Sequence, residues 1–310
     1  MKLRHLVCAA LLLFSIAASA QPIYRFSVKV GIDCESVDSL GGVDKVKQKI
    51  EYMFKRVNKA FNHTRQFDAV YDFEVDWEAF YIYDGISAKE VKKPHPNHDY
   101  LVIIDGYKSH PEEVGGSNIL TVYHSRTHND RFNDPFNEGA IDGIIHEFGH
   151  GRGVPDIYAM KVDADKNPIA PIACDGTRCI MNYPYGETFW SEYAVNMINL
   201  AEDKMVEIDN LVADMLPKNL AFKVMDPNGK PVRDAELTFY PVVWYSNSVS
   251  AEPVYSTKTG CDGEVSFDTQ KVFPTSEEFG VKYPNAFVKI ASGDMVAYAW
   301  LPLYEIENAT

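Results

Sequence analysis

The chain has 310 residues, of which 24% are charged and 46% are hydrophobic, and its formal net charge is −14 at pH 7. This composition is typical of a globular protein, and the length is enough for two folded cores or one large one. The acidity argues against a nucleic-acid partner, because phosphate binding needs clustered Lys and Arg.

The first 20 residues have the layout of a secretory signal peptide. Lys2 and Arg4 supply the positively charged start, residues 6–17 are an apolar stretch, and residues 18–20 form a small-residue cleavage site. We therefore expect an exported protein, periplasmic, cell-surface or extracellular, whose mature chain begins at Gln21. No later stretch reaches about 18 uninterrupted apolar residues, so no transmembrane segment is expected.

The region that follows predicts alternating strands and helices. A strand is expected over residues 24–32, and a helix of about five turns follows, because apolar residues keep a helical spacing from Val43 to Phe61. Further strands are expected over residues 69–83, 100–104 and 119–124. This order indicates an α/β domain in which the long helix backs a twisted sheet.

A polar segment without any period comes after the last of these strands. Four of its side chains could make a second metal site, and these are His124, His128, Asp130 and Asp134. Their spacing matches no particular ligand pattern, so a solvated loop is the favoured interpretation.

Residues 144–156, with the sequence IIHEFGHGRGVPD, have the pattern of a metal site. His146 and His150 are four apart, so on a helix they project from one face and can share a metal ion. Glu147 lies between them, where the glutamate of an H-E-x-x-H site acts as general base to the metal-bound water. The apolar stripe of this helix lies on the side opposite the histidines and consists of Ile141, Ile144, Ile145 and Phe148. This arrangement favours a metal site over ordinary helix histidines.

Asp156 is the expected third ligand. Gly151 and Gly153 are positions where the helix can end and the backbone can take a positive φ, which lets the chain reverse towards the metal. The competitors are Asp142, which would have to reach along the helix past His146, and the two histidines of the preceding polar segment.

The spacing H-E-x-x-H-x-x-G-x-x-D resembles that of the metzincin metallopeptidases, whose extended motif ends in a third histidine, and the aspartate ending is similar to the snapalysin-like variant. Residues 179–183, with the sequence CIMNY, resemble the methionine-containing turn beneath the zinc of that family. The resemblance covers the layout of residues 23–216, and only these two motifs are specific.

This resemblance implies a function for each residue of the site. Zn²⁺ would be bound by His146, His150 and Asp156, with Met181 packed under the metal and Tyr183 placed to stabilise the oxyanion. It also implies a metzincin-like α/β (α+β) fold with a twisted mixed sheet. One antiparallel edge strand of that sheet, over residues 119–124, would pair with a protein or peptide substrate in extended form.

Four cysteines follow the signal peptide, and an even number permits disulfides in an exported protein. Cys174 and Cys179 lie just before the methionine turn, where a bridge would stiffen the floor of the metal site. Cys34 and Cys261 fit buried thiols. The sequence leaves the pairing open, because it does not fix the Cα distances that a disulfide needs.

The last third of the chain changes in character. Residues 189–216 predict one long helix or two joined ones, and residues 217–219 mark a boundary. Short strands separated by turn signals are then expected over residues 221–224, 236–244, 264–267, 286–290 and 296–301. They predict a small all-β sandwich that resembles the immunoglobulin-like or transthyretin-like accessory modules of secreted bacterial peptidases.

These features predict three regions, namely a signal peptide (1–20), a zinc peptidase domain (21–217) and an accessory domain (218–310). The expected function is a secreted zinc endopeptidase in which Glu147 takes the proton of the attacking water and delivers it to the leaving nitrogen. Two alternatives stay open. One is a zinc hydrolase of a non-peptide amide or a glycoprotein-linked substrate, and the other is a non-catalytic surface or adhesion protein.

Overall fold

A computed structural model describes residues 21–63, 66–84, 98–105, 119–123, 136, 141–182, 189–206 and 208–308. The predicted signal peptide, the four residues of the suggested second metal site and Tyr183 lie outside the described residues. Within the described ranges the chain forms six α-helices, short 3-10 helices and several β-sheets, and none of these sheets closes into a barrel. The predicted mixed α/β character is therefore confirmed.

The first sheet is parallel in all of its described strands. β1 (Ile23–Asp33) pairs with β2 (Val70–Val75), with β3 (Tyr81–Tyr83) and with β4 (Tyr100–Asp105), and β5 (Ile119–Tyr123) continues the sheet beyond β4. Every residue of β4 is buried. A short apolar run of this kind is typical of a parallel strand that is covered on both faces.

The prediction that residues 119–124 form an antiparallel edge strand is wrong. β5 runs parallel to β4, with Leu101 opposite Ile119 and Asp105 opposite Tyr123. A parallel pair needs a crossover of about a dozen residues or more, and residues 106–118 supply that length of chain. The mixed sheet implied by the family resemblance is thus not found among the described strands.

A long helix packs on this sheet as its periodicity predicts. α1 (Cys34–Ser39) follows β1 directly, and α2 (Val43–Asn62) packs its buried face on β2. The Asn62 side chain accepts from the Tyr71 amide at 3.0 Å and donates to the Tyr71 carbonyl at 2.7 Å. This contact satisfies the backbone amide and carbonyl of Tyr71, with which another strand could otherwise pair.

The segment after residue 189 contains two joined helices, α4 (Glu192–Ala201) and α5 (Ile208–Asp214), one of the two arrangements expected there. They follow α3 (Ile141–His150). The remaining elements are β-strands and one short terminal helix: β6 (Asn219–Lys223), β7 (Glu236–Val242), β8 (Tyr255–Lys258), β9 (Glu264–Asp268), β10 (Thr275–Ser276), β11 (Gly280–Val281), β12 (Asn285–Ser292), β13 (Met295–Pro302) and α6 (Leu303–Asn308).

The β-rich region consists of antiparallel sheets, as its turn signals predict. Its largest sheet has the strand order β13-β12-β7-β8, and β6 pairs with β9 in a separate ribbon. Aromatic rings join these two layers, because Phe239 of β7 lies 5.6 Å from Phe222 of β6 and 5.2 Å from Phe267 of β9 between ring centroids. The predicted strands of this region are all present.

A single large hydrophobic cluster extends from the parallel sheet into the β-rich region. Polar contacts also cross the predicted boundary, since the Asn285 side chain donates to the Met160 carbonyl at 3.4 Å and Trp300 donates to the Ala173 carbonyl at 3.0 Å. The division at residue 217 stays a prediction, but the two sides of it share a core. Of the helices described, none has both the length and the apolar character needed to cross a membrane.

Candidate metal centre

Helix α3 is held by the apolar stripe that its sequence predicts. Ile141, Ile144, Ile145 and Phe148 are all buried. The ring of Phe148 lies 4.7 Å from that of Phe73 and 5.7 Å from that of Phe54. The helix is therefore fixed against both the sheet and α2, and the positions of its histidines are set by the core beneath them.

The chain reverses directly after α3 ends at His150. The Val154 amide donates to the Gly149 carbonyl at 3.1 Å, and Gly153 has a φ of +85°. A Cβ at Gly153 would lie 2.4 Å from a methyl carbon of Leu211. Glycine is thus required here both by the backbone conformation and by space. The predicted turn is present, although the positive φ occurs at Gly153 and not at Gly151, and the turn carries Asp156 back to the helix.

Asp156 meets both histidines of the helix. Its Oδ1 lies 3.1 Å from His146 Nε2 and 3.3 Å from His150 Nε2. The three ligand atoms are all within 4.8 Å of one another. Four-coordinate zinc with bonds of about 2.0–2.1 Å places its tetrahedral ligand atoms about 3.3 Å apart. This buried group could hold a metal ion, and its spacing suits a small tetrahedral one.

The hydrogen bonds around the site direct lone pairs towards its centre. His146 Nδ1 lies 2.9 Å from the Ile180 carbonyl and His150 Nδ1 lies 2.8 Å from the Val154 carbonyl. A carbonyl only accepts, so each Nδ1 carries the hydrogen and, in a neutral ring, Nε2 keeps a lone pair. Asp156 Oδ1 is buried and faces both Nε2 atoms, so it accepts no hydrogen bond from them when the rings are neutral. Three lone pairs therefore converge, and a cation is the group that matches them.

The electrostatics also favour positive charge at this point. Burial lowers the pKa of His150, but the hydrogen bond and charge of Asp156, with the charge of Glu147, outweigh it and raise that pKa to about 9. Burial also opposes the charge of Asp156, yet the two imidazoles hold the pKa of its carboxyl well below the usual range. The carboxylate keeps its charge, and either a proton or a metal cation between these groups balances it.

One side of the centre opens to solvent. The His150 side chain is 20% exposed, against 2% for His146 and 9% for Asp156. Glu147 is exposed on the same helix. Within the described part of the chain, no other His, Cys, Asp or Glu joins the three-residue group. The expected competitor Asp142 is not a member of it. Among the residues that the structure describes, no fourth protein ligand is therefore present.

The residues of the predicted methionine turn lie directly against this helix. A Cβ at Gly149 would lie 2.5 Å from Met181 Sδ, so helix and turn approach each other as closely as glycine allows. The Met181 carbonyl accepts from the Ile157 amide at 2.9 Å. The turn thus supports the centre twice, through the Ile180 carbonyl on His146 and through the segment that follows Asp156.

The four cysteines in the described part of the chain are all free. The bridge considered between Cys174 and Cys179 is not formed. Cys174 Sγ accepts from the Asn285 side chain at 3.4 Å, while Cys179 Sγ accepts from the Met181 amide at 3.3 Å. The expectation of two buried thiols elsewhere is wrong, since Cys34 is half-buried and Cys261 is exposed. Cys34 begins a helix and Cys261 lies in the turn before β9, where side chains reach solvent.

Two aromatic residues at the centre were missed by sequence reasoning. Tyr158 stacks on His146 with ring centroids 6.2 Å apart and an angle of 17° between the ring planes. Its place two residues after Asp156 is a local signal that could have revealed it. The Tyr245 hydroxyl donates to Asp156 Oδ2 at 2.7 Å from 89 residues further along the chain. No local pattern indicates a contact at that separation.

The chain matches no protein-family model and no curated protein in the comparisons made.

Proposed function

We propose that this protein is an exported zinc-dependent peptidase with a metzincin-like catalytic region. The supporting observation is the convergence of His146 Nε2, His150 Nε2 and Asp156 Oδ1 beside an exposed Glu147. Three protein ligands with a fourth position left over are typical of a catalytic zinc site, whereas structural sites are closed by a fourth protein ligand. Two imidazoles with one carboxylate also favour zinc over the oxygen-ligated Mg²⁺ and Ca²⁺.

Zinc bound here would act as a Lewis acid that polarises a substrate carbonyl and makes a nearby water more acidic. The chain's own residues supply the proton transfers and the orientation. Glu147 lies between the two histidine ligands in sequence, is exposed to solvent, and is close enough for its charge to act on His150. It accepts the proton of the attacking water and delivers it to the leaving nitrogen of the peptide bond.

The remaining parts of the proposal concern the substrate. β5 is the last strand in the described sheet order and contacts α3. An extended peptide that pairs with the outer edge of β5 would run close to the metal centre, bound through its backbone. By resemblance, the hydroxyl of Tyr183 stabilises the oxyanion of the tetrahedral intermediate.

A peptide-cleavage assay with controlled metal content tests this function. Residues 21–310 are stripped of metal with a chelator, reloaded with one equivalent of zinc, and incubated with casein and with quenched fluorescent peptides. Cleavage is expected only in the zinc-loaded sample, and mass spectrometry of the products identifies the bonds. Stoichiometric zinc without any cleavage of either substrate would exclude a general endopeptidase and favour the non-peptide hydrolase.

A further inference from the structure

We infer that Tyr245, which belongs to the β-rich region after residue 217, is a positioning residue of the metal centre. Its hydroxyl holds the Asp156 carboxylate in the orientation that directs Oδ1 at the two imidazoles. The inference rests on the metal site of the proposed function, but it does not depend on peptidase activity. It makes the centre composite, because residues on both sides of the predicted domain boundary are needed to build it.

The two oxygens of Asp156 have separate partners. Oδ1 faces the histidines at 3.1 and 3.3 Å, whereas Oδ2 accepts from the Tyr245 hydroxyl at 2.7 Å. A hydroxyl that donates to a carboxylate over this distance makes a strong, charge-assisted bond. The bond restricts rotation of the carboxylate group. Carboxylates that ligate a metal are commonly fixed in this way, and losing the fixing partner weakens metal binding about 10–100-fold.

The backbone of Tyr245 is in an unusual conformation for its residue type. Its φ is +59°, in the left-handed region that disfavours bulky side chains. Its side chain is also not buried in the core, since the residue is 51% exposed. Burial of the ring therefore does not account for the strain. Strained residues of this kind concentrate at functional sites, and here the strained conformation aims the hydroxyl at Asp156.

The turn that carries Tyr245 is fixed on both sides. The Tyr245 amide donates to the Ala159 carbonyl at 2.9 Å, and Trp244 donates through its ring nitrogen to the Val281 carbonyl at 2.9 Å. Two further backbone bonds join this turn to the segment after Asp156: Asp163 amide to Asn247 carbonyl, 3.1 Å, and Val249 amide to Lys166 carbonyl, 3.1 Å. A side chain on such a rigid turn can hold a ligand in a defined geometry.

A second contact joins Tyr245 to His146 through the ring of Tyr158. Its ring lies 6.1 Å from that of Tyr158, which itself stacks on His146 at 6.2 Å. The tyrosine is thus placed relative to a histidine ligand as well as to the carboxylate. Tyr245 therefore contacts the candidate metal centre at two points, through its hydroxyl and through its ring.

The test measures metal affinity in the full chain after the signal peptide. Tyr245→Phe removes only the hydroxyl, and its zinc affinity is measured by competition with a chromophoric chelator. We expect binding about 10-fold or more weaker than wild type. We also expect a changed visible absorption spectrum of the cobalt-substituted protein, because the ligand geometry is altered. The matched control is Tyr298→Phe on β13, which is 38% exposed and stacks on Phe287. It should bind zinc as wild type does.

A second variant separates positioning from folding. Tyr245→Asn removes the hydroxyl but suits the positive φ, so the thermal stability of the metal-free protein should not fall while zinc affinity still does. Wild-type affinity and an unchanged cobalt spectrum in Tyr245→Phe would overturn the inference, and so would an equal loss in Tyr298→Phe. A wild-type protein that binds no zinc would overturn the proposed function together with it.

Discussion

Each metal-site histidine is oriented by one backbone carbonyl, that of Ile180 for His146 and that of Val154 for His150. Both carbonyls belong to turns outside the helix, so the ring orientations depend on how those turns pack. Glu147 differs from its neighbours because it is exposed and contributes no ligand atom to the group. The three ligand atoms and the carboxylate that we propose for proton transfer therefore belong to different side chains.

Removal of the Glu147 side chain should affect turnover and leave zinc binding intact. Glu147→Ala should stay folded and bind stoichiometric zinc, because an exposed side chain is removed and no ligand is lost. Its turnover of a quenched peptide should fall about 10²-fold or more, since the proton acceptor is gone. Glu51→Ala, an exposed glutamate on α2, is the matched control and should retain wild-type turnover. Metal analysis accompanies both assays, and undiminished turnover in Glu147→Ala would contradict the assigned role.

The packing of α3 against residues 179–182 brings these two segments of the candidate metal centre into close contact. Gly149 faces the Met181 side chain, and a Cβ there would lie 2.5 Å from Sδ and 3.0 Å from a ring carbon of Trp190. Met181 is fully buried, so its side chain has little room to move away. The absence of a side chain at Gly149 is what lets the turn reach His146.

Gly149→Ala should therefore destabilise the protein although alanine is the better helix former. Its helix propensity favours the change by about 1 kcal/mol, whereas overpacking a core commonly costs about 1–3 kcal/mol. We expect a lower urea midpoint together with weaker zinc binding. The double variant Gly149→Ala/Met181→Val, which removes the sulfur, should be more stable than the sum of the two single changes predicts. Additive effects would show that the two side chains do not compete for this space.

The shared hydrophobic core also brings the C-terminal helix α6 into contact with helix α4, about 100 residues earlier in the chain. α6 packs on α4, where the rings of Tyr304 and Tyr193 lie 6.2 Å apart. Glu307 is buried in the same region with only 3% of its surface exposed. Burial raises the pKa of its carboxyl to about 8, although a hydrogen bond with Tyr193 partly opposes that rise. The acid is therefore neutral in the folded protein at pH 7.

This raised pKa predicts a dependence of stability on pH. Between the ordinary value of 4.5 and about 8, the folded state keeps a proton that the unfolded state has lost. The free energy of unfolding then falls as the pH rises through that interval, by up to about 1.4 kcal/mol per pH unit. Glu307→Gln removes this loss, so its gain in stability over wild type should be larger at pH 8 than at pH 4.

Urea unfolding of wild type and Glu307→Gln at the two pH values measures that difference and cancels the titration of other groups. Glu305→Gln, at an exposed position of the same helix, should give no pH-dependent gain. A difference between Glu307→Gln and wild type that is equal at pH 4 and pH 8 would show that Glu307 does not titrate as described.

The local features of this protein follow from short-range patterns in its sequence. The apolar spacing of α2 and α3, most of the strands and the glycine turn before Asp156 were predicted, because each depends on residues within a few turns of one another. The short strands β8, β10 and β11 were not predicted. The three residues that could hold a metal were also predicted, since the interval from His146 to Asp156 is short and contains the glycine turn that brings them together.

Other features depend on contacts between segments that are far apart in the sequence, and these are seen only in the folded chain. The direction of β5 is known from its pairing with β4, because five residues do not by themselves determine which way a strand runs beside its neighbour. The state of the cysteines follows from the neighbours of each sulfur, and the common core follows from how the two regions pack. Tyr245 lies 89 residues from Asp156, and contacts over that separation arise only when the whole chain has folded.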